Sequence, residues 1–259
     1  MKHLIRKLKR AVFDLDPSYH DMFEDAGAQK AGGDYLKVIE RALEARFGTS
    51  KVTILDAGCQ AGRLLIPLAR AGHRMIGVDR SAFSLRRAQG HAHEARVSVE
   101  LHKGDILKVN RWVSRKSVDA AICAEVLYLV KNFPGHLTRL KETVRPGGLV
   151  FISHRPKVYY AAKALDEGRP GLAETIASNT EGPSPDGIYH NWQTPQELNE
   201  LYTDLGLKIL ELVPIQERTW SLPPGLSLDH KVEEALSSVR AGDGAYRIPD
   251  YLLVVARRP

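Results

Sequence analysis

The segment Ile54-Leu55-Asp56-Ala57-Gly58-Cys59-Gln60-Ala61-Gly62-Arg63 limits what this chain can become more than any other. Val52, Thr53, Ile54 and Leu55 form a continuous β-rich run that ends in a glycine turn, and Leu64, Leu65, Leu68 and Ala69 then recur at helical spacing through residues 61–71. In open α/β sheets a strand that runs through a glycine turn into a helix is a ligand-binding device, because glycine lets the backbone approach the ligand closely. The next strand, Met75-Ile76-Gly77-Val78, ends in Asp79, an acid placed to accept hydrogen bonds from both hydroxyls of a ribose. A glycine turn alone is weak evidence. Joined to this acid at this spacing, it is a nucleoside-binding signature.

In the dinucleotide fingerprint the second glycine lets the backbone approach a pyrophosphate. Gln60 stands at that position, and its bulk argues against NAD or FAD. A nucleoside without phosphates and with a cationic amino-acid tail fits better, since nothing large and anionic must then lie on the helix N-terminus. Asp56 before the turn suits a positive group such as an α-ammonium. No Gly-Lys-Ser/Thr follows the turn, so a Walker-A loop is absent.

Around this segment, strand-like runs at 52–55, 75–78, 97–101, 118–123 and 149–153 alternate with amphipathic stretches, with Ser81 an expected N-cap and 137–144 an expected helix. Repeated β-α-β units give a doubly wound, mostly parallel sheet covered by helices on both faces. Residues 156–192 break the rhythm with Gly- and Pro-rich stretches and read as an inserted lid after the fifth strand. Thr194-Pro195-Gln196-Glu197 is a capping box, and its helix ends near Gly206. Residues 207–213 and 251–256 read as the last two strands, with a short helix at 228–239 between them. One domain is expected over 1–259: a helical cap at 1–48, a cofactor-binding core at 50–155, the lid at 156–192 and the end of the sheet at 193–259.

The net charge of +6 is concentrated at the start, where Lys2, Arg6, Lys7, Lys9 and Arg10 leave a net +1 for the rest of the chain. With Leu4, Leu8 and Val12 at helical spacing, this segment reads as a basic amphipathic helix that docks on the domain; a weak membrane-surface contact is the lesser reading. A body-wide phosphate-tracking face is not indicated, which argues against a nucleic-acid partner. No apolar run is long enough for a membrane span, and the first residues lack the apolar stretch of a secretory signal. Cys59 and Cys123 have no CxxC partner, which speaks against a zinc site or disulfide scaffold and for the cytoplasm.

Residues 55–63 resemble the first motif of class I S-adenosylmethionine (SAM)-dependent methyltransferases. Gly77-Val78-Asp79-Arg80-Ser81 is similar to the second motif and Gly104-Asp105-Ile106 to the adenine-contact motif. Asp119 to Cys123, Glu125-Val126-Leu127 and Arg145-Pro146-Gly147-Gly148-Leu149 resemble the fourth and fifth strand regions. The chain is similar to the small-molecule type found in ubiquinone and menaquinone biosynthesis. The resemblance implies a Rossmann-like sheet of seven strands with an antiparallel last strand, SAM as cofactor and S-adenosylhomocysteine (SAH) as product. It also implies that Gly58 and Gly62 let the backbone approach the methionine part, that Asp79 holds the ribose, and that Asp105 and the Ile106 backbone meet the adenine. Ala124 and Glu125 would line the methyl-transfer face, and Asp56, Cys59, Gln60 and Arg80 would belong to the cofactor site as well. In relatives a segment near the N-terminus covers the cofactor, a role that would fall to Tyr19. Gln60 departs from the usual glycine, and this keeps open a non-catalytic SAM- or SAH-binding module.

Methyl transfer from a sulfonium is an in-line displacement, so the protein mainly holds donor and acceptor and excludes water. A base is needed only where the acceptor loses a proton. Tyr128 after the fourth strand, His154 at the end of the fifth, and His190 in the insertion are the expected catalytic residues, with His154 first as a base. Arg155 suits a substrate carboxylate; Tyr159, Tyr160 and Trp192 suit an aromatic wall or, equally, plain packing. His91, His93 and His102 read as surface or strand-end residues rather than metal ligands. A small-molecule acceptor is the expected partner, with an RNA or protein acceptor, served by the basic helix, as the alternative.

Overall fold

A computed structural model of the chain describes residues 21–221, 229–241 and 245–259. The expected basic helix and Tyr19 lie outside them. In chain order the elements are α1 (Ala26–Phe47), β1 (Thr53–Ala57), α2 (Leu65–Arg70), β2 (Arg74–Asp79), α3 (Ala82–Glu94), β3 (Glu100–Lys103), β4 (Val118–Cys123), α4 (Phe133–Thr143) and β5 (Val144–His154). There follow α5 (Lys157–Asp166), α6 (Pro170–Ser178), β6 (Glu181–Pro183), β7 (Tyr189–Asn191), α7 (Pro195–Asp204), β8 (Lys208–Trp220), α8 (His230–Ser237) and β9 (Tyr246–Arg257). Seven strands form one sheet in the order β3-β2-β1-β4-β5-β9-β8, parallel in its first part, with β8 and β9 antiparallel. This is the expected doubly wound architecture. No helix among the described residues is long and apolar enough to cross a membrane.

The described residues divide into two compact units, one within 1–123 and 139–150 and the other within 124–138 and 151–259. In the first, β1 is buried along nearly its whole length between β2 and β4, which is why its sequence is continuously apolar rather than alternating. Helix α2 starts at Leu65, later than its apolar spacing suggests, because Gly62 has φ +97°, outside the right-handed helical region. Asp25 caps α1 and Ser81 caps α3, each accepting a backbone N–H in the first turn. Strand β5 begins before the expected turn at 146–148. A Cβ on Gly148 would lie 2.5 Å from the Asp119 carbonyl oxygen. The Asp119 carboxylate takes the Thr53 N–H at 2.7 Å and the Arg145 guanidinium at 2.6 Å.

In the second unit, residues 156–192 form α5, α6 and the small β6–β7 ribbon. Val158, Tyr160, Leu165, Ile176 and Trp192 pack with Val232 and Leu236 of α8 and Ile248 of β9 into a hydrophobic core. The Trp192 side chain is buried and its Nε1–H donates to the carbonyls of Asn179 (2.8 Å) and Ile176 (3.1 Å). Packing is therefore what Trp192 does here. The Thr194 capping box is present, with Glu197 reaching back to the Thr194 N–H. Strands β8 and β9 extend well past the apolar runs that announced them. Their outer halves carry Gln216, Glu217, Arg218 and Thr219, and they pair by backbone ladder and by the Arg218–Asp250 ion pair rather than by apolar alternation.

Candidate cofactor turn and aromatic–arginine cluster

In the first unit the glycine turn closes on the tip of β2. The Gly58 N–H donates to the Val78 carbonyl at 2.7 Å, and Gly58 has φ +83°. Asp79 stands beside the turn and uses both carboxylate oxygens: Oδ2 accepts the Gln60 N–H at 3.0 Å and Oδ1 the Ser81 N–H at 2.8 Å. Burial pushes its pKa up, and those backbone donors pull against the shift. Asp56 is fully enclosed. Burial, reinforced by the charge of Asp79 and opposed by the Arg63 guanidinium, pushes it up to about 7. A cation brought to Asp56 would restore its ionised form.

Gln60 shows why this chain tolerates a side chain where glycine is usual. Its backbone is left-handed at φ +46°, and its Oε1 accepts the Met22 N–H at 3.1 Å. The next residues anchor the same segment. The Asp21 carboxylate takes the Arg87 Nε–H at 2.7 Å and lies 3.5 Å from His91 Nε2, while Phe23 stacks on the His91 ring at 4.1 Å. His91 is thus buried and partnered, not a surface residue. Asp21 and Glu24 do converge on it, but both also pair with the Arg87 cation. No sequence signal announced these contacts, because the partners are distant in the chain.

A left-handed backbone costs a non-glycine residue roughly 1 kcal/mol or more. Both Gln60→Gly and Gln60→Ala lose the Met22 contact, but only glycine relieves the strain. Chemical denaturation is therefore expected to find the glycine variant more stable than the alanine variant by about 1 kcal/mol; equal stabilities would count against the strain argument.

Asp105 caps the short 3₁₀ turn Ile106–Arg111, with Oδ1 accepting the Leu107 N–H at 2.9 Å, and Arg80 lies 3.8 Å from its other oxygen. Ile106 and Cys59 are buried, and burial raises the Cys59 thiol pKa, which disfavours the thiolate. Gly104 packs flat against Trp112, whose ring would collide with any Cβ there.

The second unit gathers Arg155, Tyr128, Tyr159, Tyr160, His190, Glu125 and Tyr251. Glu125 follows Ala124 after β4 with φ +59°, its N–H bonded to the Ser153 hydroxyl at 2.6 Å. The Arg155 guanidinium carbon lies 4.2 Å from the Tyr159 ring centroid, 4.3 Å from Tyr251, 5.3 Å from Tyr128 and 5.9 Å from Tyr160. Arg155 donates to the Tyr251 hydroxyl at 2.5 Å, which donates to Glu125 Oε2 at 3.0 Å. Tyr251 joins from a position 126 residues away, so sequence reasoning gave it no role beyond starting a strand. The His190 ring is sandwiched between Tyr128 (5.6 Å) and Tyr160 (5.2 Å), and burial followed by the Arg155 charge pushes its pKa down. His154 lies apart from solvent altogether. Its Nε2 is 2.9 Å from the Tyr202 hydroxyl, and burial pushes its pKa down to about 3.

A glycine turn closed by an acid at the tip of the second strand, on a sheet of this strand order, defines a nucleoside-binding α/β fold of the methyltransferase type. A family model described as a methyltransferase domain matches residues 48–202. The ubiquinone biosynthesis O-methyltransferase of Rickettsia canadensis is 27% identical over 200 residues, covering 74% of this chain and 80% of that one. Its counterpart from Rickettsia akari is 30% identical over 181 residues, covering 68% of each. In structure, the magnesium protoporphyrin IX methyltransferase of Synechocystis PCC 6803, solved with bound SAH, superposes with a TM-score of 0.62 at 17% identity over the full length of both chains. The chain belongs to the methyltransferase-domain family, as its motifs led one to expect.

Proposed function

We propose that this protein transfers a methyl group from SAM to a hydroxyl of a small-molecule acceptor in the cytoplasm. The carrying observation is Asp79, held by two backbone N–H groups beside a turn whose glycines adopt positive φ. The residues present fit a nucleoside with a cationic tail. Asp79 offers its remaining lone pairs to a ribose, Asp105 and the Ile106 backbone suit the adenine, and the enclosed Asp56 gains a counter-ion from an ammonium. When bound, SAM supplies a methyl group already activated on sulfur. Names of related O-methyltransferases support oxygen as the acceptor atom.

Transfer to a hydroxyl releases one proton. We assign its uptake to Glu125, whose positive φ and Ser153 tether fix its backbone after β4, where the family resemblance expects the methyl-transfer face, and whose Oε2 accepts the Tyr251 hydroxyl. His154, expected first as the base, has no catalytic part in this reading: its side chain is fully buried with Nε2 2.9 Å from the Tyr202 hydroxyl, out of reach of an acceptor. Tyr128 and His190 line the acceptor side, and the 156–192 segment roofs it.

The test is thermal unfolding with SAH, SAM and NAD in parallel. A ligand at a hundred times its dissociation constant adds about 2.7 kcal/mol, which for a chain of this size is a shift of several degrees. Shifts with both adenosyl ligands and none with NAD are expected. A shift with NAD alone, or with none of the three, overturns the proposal.

A further inference from the structure

Arg155 is a cation whose charge nothing nearby neutralises directly. Its hydrogen bonds go to the neutral hydroxyls of Tyr251 and Tyr128, and its Nε is buried without a hydrogen-bond partner. Among the described residues no carboxylate lies within ion-pair distance of it. Glu125 reaches it only through the Tyr251 hydroxyl, and Asp186 is engaged by Lys163 at 2.8 Å. His190 beside it is driven toward the neutral form. A guanidinium cannot discharge by losing its proton, and buried arginines are as a rule paired. Tyrosine faces offset part of the desolvation cost, but four rings and two hydroxyls leave the positive charge uncancelled. The rings also make the surroundings of the guanidinium flat and aromatic.

We infer that Arg155, with its collar of Tyr128, Tyr159, Tyr160 and Tyr251, is the subsite that recognises a carboxylate on the acceptor, so that the methyl acceptor is a small aromatic acid bound as its anion. This rests on the methyltransferase reading above. Arg155 then acts as a specificity residue: it binds the carboxylate of the acceptor and selects acids over their neutral analogues.

The wild-type protein saturated with SAH is titrated calorimetrically with benzoate and with benzamide, which match in shape and differ in charge. Benzoate is expected to bind at least about tenfold tighter than benzamide, the size of one charge-assisted contact. Arg155→Met is expected to abolish that preference, and Arg155→Lys to retain part of it, with SAH affinity unchanged in both. Equal binding of the two probes to the wild type, failure of benzoate to bind, or a preference that survives Arg155→Met overturns the inference. Failure of SAH itself to bind would instead overturn the methyltransferase reading.

Discussion

Asp79→Ala is expected to weaken SAH binding about a hundredfold, or roughly 3 kcal/mol, from the loss of charge-assisted hydrogen bonds to the ribose. The carboxylate is already ordered by the Gln60 and Ser81 N–H groups, so the ligand meets a preorganised acceptor and bears little of the ordering cost. The substitution also strips two partners from the turn and from the start of α3, so some stability is lost as well. Two readouts separate these effects. Calorimetric affinity reports the ribose contact, and denaturant unfolding without ligand reports the turn. Asp79→Asn keeps an acceptor oxygen but no charge, and is expected to fall between wild type and alanine in affinity. An affinity loss below about tenfold in Asp79→Ala would remove Asp79 as the ribose ligand and, with it, the strongest support for the cofactor assignment.

Trp192→Ala is expected to destabilise the protein by about 3–5 kcal/mol, the cost of emptying a large aromatic site in a core. The indole sits in the cluster built by α5, α6, α8 and Ile248, and its Nε1–H satisfies two backbone carbonyls at the end of α6. Alanine leaves both a cavity and buried carbonyls without their donor. Trp192→Phe retains much of the volume and loses only the donor, so its loss should be the smaller of the two. Urea unfolding followed by circular dichroism checks both variants. A loss under about 1 kcal/mol for alanine would mean that this core contributes little to global stability. SAH affinity is expected to stay near wild type in both variants, since the cofactor-turn residues belong to the other unit.

The cofactor turn and the arginine cluster differed in how far they could be read from the sequence. Residues 54–63 and Asp79 are announced by local chemistry, a glycine turn after an apolar strand and an acid at the end of the next one, while Asp105 was marked only by the family resemblance and its cap on the short 3₁₀ turn came from the structure. The arginine cluster has no such signature. Arg155, Tyr159 and Tyr160 follow β5 and were visible as candidates, but Tyr251 sits in a strand whose apolar pattern announces only burial. His154 illustrates the opposite case. Its place at a strand end suggested chemistry, whereas burial pushes its pKa down and its ring is enclosed beside the Tyr202 hydroxyl inside the second unit.

The sequence by itself determined the doubly wound sheet, the glycine turn, the caps at Ser81 and Thr194 and the family, because each depends on short-range spacing: apolar periodicity, a tolerated φ, or a side-chain oxygen within a turn of its acceptor N–H. Only the tertiary structure decided that Gln60 latches Met22, that β8 and β9 run far beyond their apolar stretches, that residues 156–192 build a packed core around Trp192, and that four tyrosines surround Arg155. These outcomes depend on contacts between residues far apart in the chain, and on burial. Long-range pairing sets which charges lose their water, and it leaves no periodic trace in the order of the amino acids.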